Sequence, residues 1–172
     1  IIADEPTTGL DVIVQDKIMD KIVEIQERTD SSLMFITHDI GVIAEASDRI
    51  SVLYGGKVME QGHTDRVLAE PTNPYTMGLK NSFPDIDKLG ELAVSIPGSL
   101  PELDAAPSSC VFSNRCPFAT PEFEESHPPM TEIGIGDDAQ QRSACYRTEN
   151  VDRLRSEATD PGTWGIDIRD RD

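Results

Sequence analysis

The chain has 172 residues, a formal net charge of -17 and a pI near 4.4, a length that suits one domain with a sizeable core or one and a half smaller ones. Arginine outnumbers lysine and acids stud the helical segments, so there is no basic surface to neutralise nucleic-acid phosphates, and we read the acidity as adaptation to a salt-rich, haloarchaeal type of cytoplasm. No apolar run reaches the roughly 18 to 20 residues of a membrane-spanning helix and no signal peptide is visible, while three irregularly spaced cysteines do not make a secreted disulfide framework.

The first element is Ile1-Ile2-Ala3, read as the end of a buried parallel strand. With no initiator Met, the chain is expected to be the C-terminal part of a longer protein. Asp4 and Glu5 then fall at the carboxyl edge of that strand, where open α/β sheets place ligands. Two carboxylates there suit phosphate chemistry: Asp4 holding Mg²⁺ through water, and Glu5 orienting or deprotonating a water that attacks a γ-phosphate. A bare Asp-Glu pair also reads as two solvated acids closing a strand, and the continuation of the chain decides between them.

Asp11 is a candidate N-cap for a helix over residues 12 to 28, whose apolar positions Val12, Ile13, Ile18, Met19, Ile22, Val23 and Ile25 follow a helical stripe. Ser32 to Thr37 contains Leu-Met-Phe-Ile, a buried run of strand length, and His38 stands where it stops. Strand, helix, strand is a βαβ unit, which brings Glu5 and His38 to one edge of one sheet. There an imidazole can donate to a γ-phosphate.

Residues 40 to 47 read as a short helix. Arg49 to Tyr54 and Lys57 to Gly62 read as strands joined by the Gly55-Gly56 turn. A helix capped by Thr64 is expected over 64 to 69, and another from Tyr75 to Ser82 after the Pro71-Thr72-Asn73-Pro74 turn. Recurring Pro and Gly between Pro84 and Pro107 argue against regular helix, and the domain boundary is placed near Pro84.

Cys110 and Cys116, with Cys145 returning from a distance, form a soft-ligand pattern for a metal or cluster. The other reading is reduced core thiols in a loop-rich lobe. Residues 93 to 148 have few apolar side chains, so a metal staple would compensate for a thin core.

The stretch Asp4-Glu5-Pro6-Thr7-Thr8-Gly9-Leu10-Asp11 resembles the Walker B, catalytic-glutamate and D-loop segment of ABC-type ATPases, and His38 in Phe35-Ile36-Thr37-His38-Asp39 resembles their switch histidine. Asp48-Arg49, Tyr54, Gly55-Gly56-Lys57 and Glu60-x-Gly62 are similar to the end of such a nucleotide-binding domain. Asn73-Pro74-Tyr75-Thr76, Ser95 to Leu103, and Cys110-x5-Cys116-Pro117-Phe118-Ala119 resemble the C-terminal extension of oligopeptide and dipeptide importer ATPases. The resemblance covers residues 1 to about 148.

The remainder, residues 149–172, lies outside it and reads by composition as a polar tail. The resemblance implies an α/β fold, the C-terminal half of a P-loop ATPase domain over residues 1–83, and an importer extension with cysteines over 84–148. It implies ATP and Mg²⁺ as cofactors, Glu5 as catalytic base, Asp4 as the Mg²⁺ residue, His38 as the γ-phosphate contact and Asp11 as a contact across an ATPase dimer. The implied partners are a second ABC ATPase subunit, transmembrane permease subunits and, indirectly, an extracellular peptide-binding protein. The implied location is the cytoplasmic face of the membrane, and the implied function is to energise peptide import.

The same resemblance implies a four-cysteine iron–sulfur site, in which Cys110, Cys116 and Cys145 match and a further cysteine is expected near position 123. This chain has Phe123 there, which leaves an incomplete cluster, a substitute ligand such as His127 or a carboxylate, or no cluster. No G-x-x-x-x-G-K-[ST] loop and no Ser-Gly-Gly-Gln signature occur, so the chain alone is expected neither to hold nucleotide tightly nor to hydrolyse it. A non-transport ATPase of the same superfamily and a non-catalytic, metal-dependent docking module are the alternatives.

Overall fold

The apolar run at the start forms strand β1 (Ile2–Asp4), and Leu-Met-Phe-Ile forms β2 (Met34–Ile36), in a computed structural model that describes residues 1–82, 94–100, 105, 107–134 and 140–166. The two strands pair in parallel, with Ile2 opposite Met34 and Asp4 opposite Ile36. Helix α1 (Val12–Thr29) connects them, as a parallel crossover requires. Its N-cap is Asp11, whose Oδ1 accepts from the Val14 amide at 3.0 Å. Its end is Asp30, which turns left-handed at φ 48° and returns its N–H to the Gln26 and Glu27 carbonyls. Helix α2 (Ile40–Ala46) follows, capped by Asp39. These elements form the first of two units, Ile1–Asp48.

One expectation fails here. The strands were expected to be buried, yet Ile2, Met34 and Ile36 are exposed, and no residue of α1 is buried. Two short strands cannot enclose either of their faces with the little chain available in this unit.

The second unit, Arg49–Asp172, is built on strands β3 (Arg49–Tyr54), β4 (Lys57–His63), β5 (Met130–Ile133) and β6 (Gln141–Ala144), all antiparallel, in the order β3-β4-β6-β5. Gly55 and Gly56 join β3 to β4 with φ of 55° and 72°. Two consecutive positive φ values are what a tight hairpin with right-handed twist needs, and only glycine adopts them without strain. Strand β4 pairs on its other side with β6, Glu60 opposite Ser143 and Gln61 opposite Arg142.

Helix α3 (Thr64–Ala69) starts directly where β4 stops. The expected Thr64 cap is therefore not formed. His63 is the N-cap residue without a capping side chain, and Thr64 is buried in the first turn. Helix α4 (Pro74–Asn81) has Asn73 as cap, its side chain accepting from the Tyr75 amide at 3.0 Å, and Pro74 in the first turn, where a missing N–H costs nothing. The boundary expected near Pro84 lies outside the described residues.

A second correction concerns residues 149–172, read from sequence as a polar tail. Residues 151–158 form helix α5 (Val151–Ala158), which turns Val151, Leu154 and Ala158 inward, and Trp164 follows in a 3-10 turn, 3 % exposed. The polar residues of α5 lie on its opposite face, so average composition concealed a single apolar stripe. Trp164 lies so close to α4 that a Cβ at Gly78 would sit 2.5 Å from its ring, and its indole N–H donates to the Ala158 carbonyl at 2.8 Å.

The core of this unit gathers Tyr54 and Met59 from the hairpin, Met77 from α4, Phe112, Phe118 and Phe123 from the cysteine-bearing segment, and Leu154 and Trp164 from the C-terminal segment. The lobe that seemed too poor in apolar residues shares its core with elements before and after it. At the seam between β4, the Pro71–Asn73 turn and β6 lies Glu60, wholly buried. Its carboxylate accepts from the Thr72 amide (2.7 Å), the Thr72 hydroxyl (2.6 Å), the Asn73 amide (3.1 Å) and the Gln141 side-chain amide (2.8 Å).

Candidate functional site

The parallel register puts the residues that follow β1 and β2 side by side at the carboxyl edge of the first unit. Glu5 extends the ladder by donating its amide to the Ile36 carbonyl at 2.7 Å. It then turns into the left-handed region at φ 46°, which a residue with a Cβ adopts at a cost. The turn closes with the Thr8 amide donating to the Glu5 carbonyl at 3.2 Å.

That backbone twist aims the Glu5 carboxylate at two partners. Oε1 lies 2.8 Å from His38 Nδ1, and Oε2 accepts from the Thr8 hydroxyl at 2.7 Å. Both bonds hold the carboxyl below its usual range, the His38 bond most and the Thr8 bond next. In return, Glu5 holds the exposed His38 imidazole above its usual range, by the hydrogen bond first and by charge second. With Nδ1–H given to Glu5, Nε2 faces outward, an acceptor in the neutral ring and a donor in the protonated one.

His38 is itself placed by its neighbour. Asp39 caps α2 through the Gly41 amide (2.9 Å) and the Val42 amide (3.4 Å), while its other oxygen accepts from Gln15 of α1 at 3.1 Å. The Gln15 bond is the largest reason that Asp39 sits below the usual carboxylate range. Asp4 ends β1 exposed, adjacent in sequence to the Glu5 clamp. Asp11 caps α1 through one carboxylate oxygen, Oδ1.

Sequence reasoning found Glu5 and His38 and missed Thr8, Gln15 and Asp39 as their supports. The signal for Thr8 was present: a hydroxyl three residues after an acid, inside a turn, is well spaced to bond back.

In the second unit, Cys110, Cys116 and Cys145 line one small cavity together with Phe123, Phe112 and Tyr146. All three are free thiols. Burial is the main cause raising each, and Cys116 is pushed up to about 12. The cavity is about 10 Å³, roughly the space of one water. His127, the substitute ligand considered above, does not line it. Among the described residues no three His, Cys, Asp or Glu side chains converge in a way that would hold a metal ion, and no helix is long and apolar enough to cross a membrane.

Residues 59–122 match the family described as the oligopeptide/dipeptide transporter C-terminal region. The chain is 42 % identical over 155 residues to a protein of Sinorhizobium fredii named as a probable peptide ABC transporter ATP-binding protein, a match covering 90 % of this chain and 45 % of that one. It is 43 % identical over 133 residues to the dipeptide transport ATP-binding protein DppD of Lactococcus lactis (77 % and 38 % covered), and 40 % identical over 147 residues to the oligopeptide transport ATP-binding protein OppD of Escherichia coli (86 % and 42 % covered). The chain spans less than half the length of each of these curated relatives.

Proposed function

Because this chain is a homologue of peptide ABC transporter ATP-binding proteins and carries the C-terminal region of the oligopeptide/dipeptide transporter family, we propose that it is part of an ATPase subunit that energises peptide import. The observation that carries this reading is the Glu5 carboxylate held at both oxygens, by Thr8 and His38, on the carboxyl edge of parallel strands.

In this reading Glu5 takes a proton from the water that attacks the γ-phosphate of ATP, with its carboxylate oriented by the bonds to Thr8 and His38. His38 presents Nε2 to a γ-phosphate oxygen, and as the imidazolium it donates there. Asp4 is the residue that would hold Mg²⁺, which would supply charge neutralisation at the phosphates. Asp11 reaches the second ATPase subunit from the start of α1. The exposed apolar residues of β1, β2 and α1 support a wider parallel sheet of P-loop type around this unit. The cysteine-bearing unit is the importer extension, and permease subunits at the cytoplasmic face of the membrane are the mechanical partners. An extracellular peptide-binding protein would deliver the cargo to them.

Transport itself is tested in proteoliposomes: the full ATPase assembled with its permease should couple ATP hydrolysis to peptide accumulation. Hydrolysis that never moves peptide would count against an importer and favour a non-transport ATPase.

The dyad is tested separately, by nuclear magnetic resonance titration of this chain. His38 should titrate above the usual imidazole value of about 6.5, and Glu5→Gln should bring it back down. An unmoved His38 titration would sink the pairing. The sign for stability follows from the two directions. The Glu5 contribution is present above the usual carboxylate value and is lost as pH falls through its lowered value; the His38 contribution is present below the usual imidazole value and is lost as pH rises through its raised one. The ion pair therefore persists between those two limits.

A further inference from the structure

The three cysteines and Phe123 share a cavity whose size and lining do not suit the cluster that the family resemblance implies. An iron–sulfur core is many times larger than the single water's worth of space between these side chains. Phe123 is 5 % exposed and fixed on several sides. Its carbonyl accepts from the Cys110 amide at 3.0 Å, its ring centre is 5.3 Å from that of Tyr146, and the Arg147 guanidinium lies 5.8 Å from it.

We propose that Phe123 plugs the position a fourth ligand would need, so that this lobe is stapled by aromatic packing and holds no cluster. A further observation bears on this. The packing a metal would otherwise supply is already present: Tyr54, Tyr75 and Phe112 form a mutually contacting trio with ring centres 4.6 to 5.3 Å apart, next to the cysteines. The inference concerns the thiol lobe alone and stands or falls independently of the ATPase reading.

The experiment uses anaerobically purified protein, with iron and acid-labile sulfide determined chemically and thermal unfolding followed with and without an iron and zinc chelator. The wild type is expected to be colourless, with substoichiometric metal and an unfolding midpoint that the chelator does not move. After reconstitution with ferrous iron and sulfide, or with Co²⁺ as a coloured probe, the wild type should still take up no stoichiometric metal. Phe123→Leu, which keeps an apolar plug, should fold and stay metal-free, while Phe123→Ala, which removes the aromatic staple, should unfold at a clearly lower temperature. Stoichiometric iron and sulfide in the wild type, a chelator-induced loss of stability, or a Phe123→Ala variant that unfolds with the wild type would each overturn the proposal.

Discussion

Glu5→Gln in the full ATPase is expected to lower ATP turnover by roughly 10²- to 10⁴-fold, the range that a positioned general base contributes, while ATP binding persists. The substitution is nearly isosteric, so the turn that places residue 5 at φ 46° is preserved. What changes is chemistry. Glu5 offers two acceptor oxygens and uses both, one for Thr8 and one at His38; an amide offers one acceptor and presents a donor to the other partner. The variant therefore loses the base and loosens the imidazole together. Steady-state hydrolysis alongside equilibrium binding of labelled ATP separates the two effects. Retention of most turnover would assign the proton acceptor elsewhere, and loss of binding would make residue 5 part of the nucleotide grip. The left-handed backbone at a non-glycine residue supports a functional role, since such conformations persist where surrounding structure enforces them.

Glu60→Ala is the second large effect, on stability. Truncation strands the Thr72 amide and hydroxyl and the Asn73 amide in a region closed to water, and leaves the Gln141 side-chain amide with the Glu70 carbonyl as its remaining acceptor. Each stranded buried donor costs about 1–3 kcal/mol; relaxation and shared partners keep the costs from adding fully, so the loss is expected on the order of 4 kcal/mol. That is a large fraction of the stability of a domain this size. Glu60→Gln should lose less, about 2 kcal/mol, because one acceptor survives. Urea unfolding of the three proteins would measure this. An Ala variant within 1 kcal/mol of wild type, on the order of an ordinary surface change, would show that the carboxylate is not what ties the seam together.

Local structure was largely legible in the sequence. Asp11 as cap, α1, the strand ending before His38 and the Gly55-Gly56 hairpin all follow from short-range chemistry, because caps, periodicity and turn glycines act over a few residues. The convergence of Glu5 and His38 was legible too, since a parallel crossover leaves few alternatives. Long-range pairing was not. Nothing in Lys57–His63 announces that it pairs with residues 141–144 on its far side, and nothing in Asp152, Arg153 and Arg155 announces that Leu154 between them belongs to the core. Thr8 was legible in part: its spacing from Glu5 is readable, but the aim of the carboxylate depends on the twist at Glu5, which a sequence reading does not assign to a non-glycine residue.

The seating of Trp164 against Gly78 bears on when this unit can form. Within this unit the hairpin and α4 are synthesised first, yet part of what covers them comes from β6, α5 and the turn at Trp164, some eighty positions later. Pairings this distant in sequence are slow to establish, because the intervening loop must close before any contact repays it. On the ribosome, the apolar side of the hairpin stays incompletely covered until the residues up to 164 have emerged. Until then this unit is open to aggregation or chaperone capture.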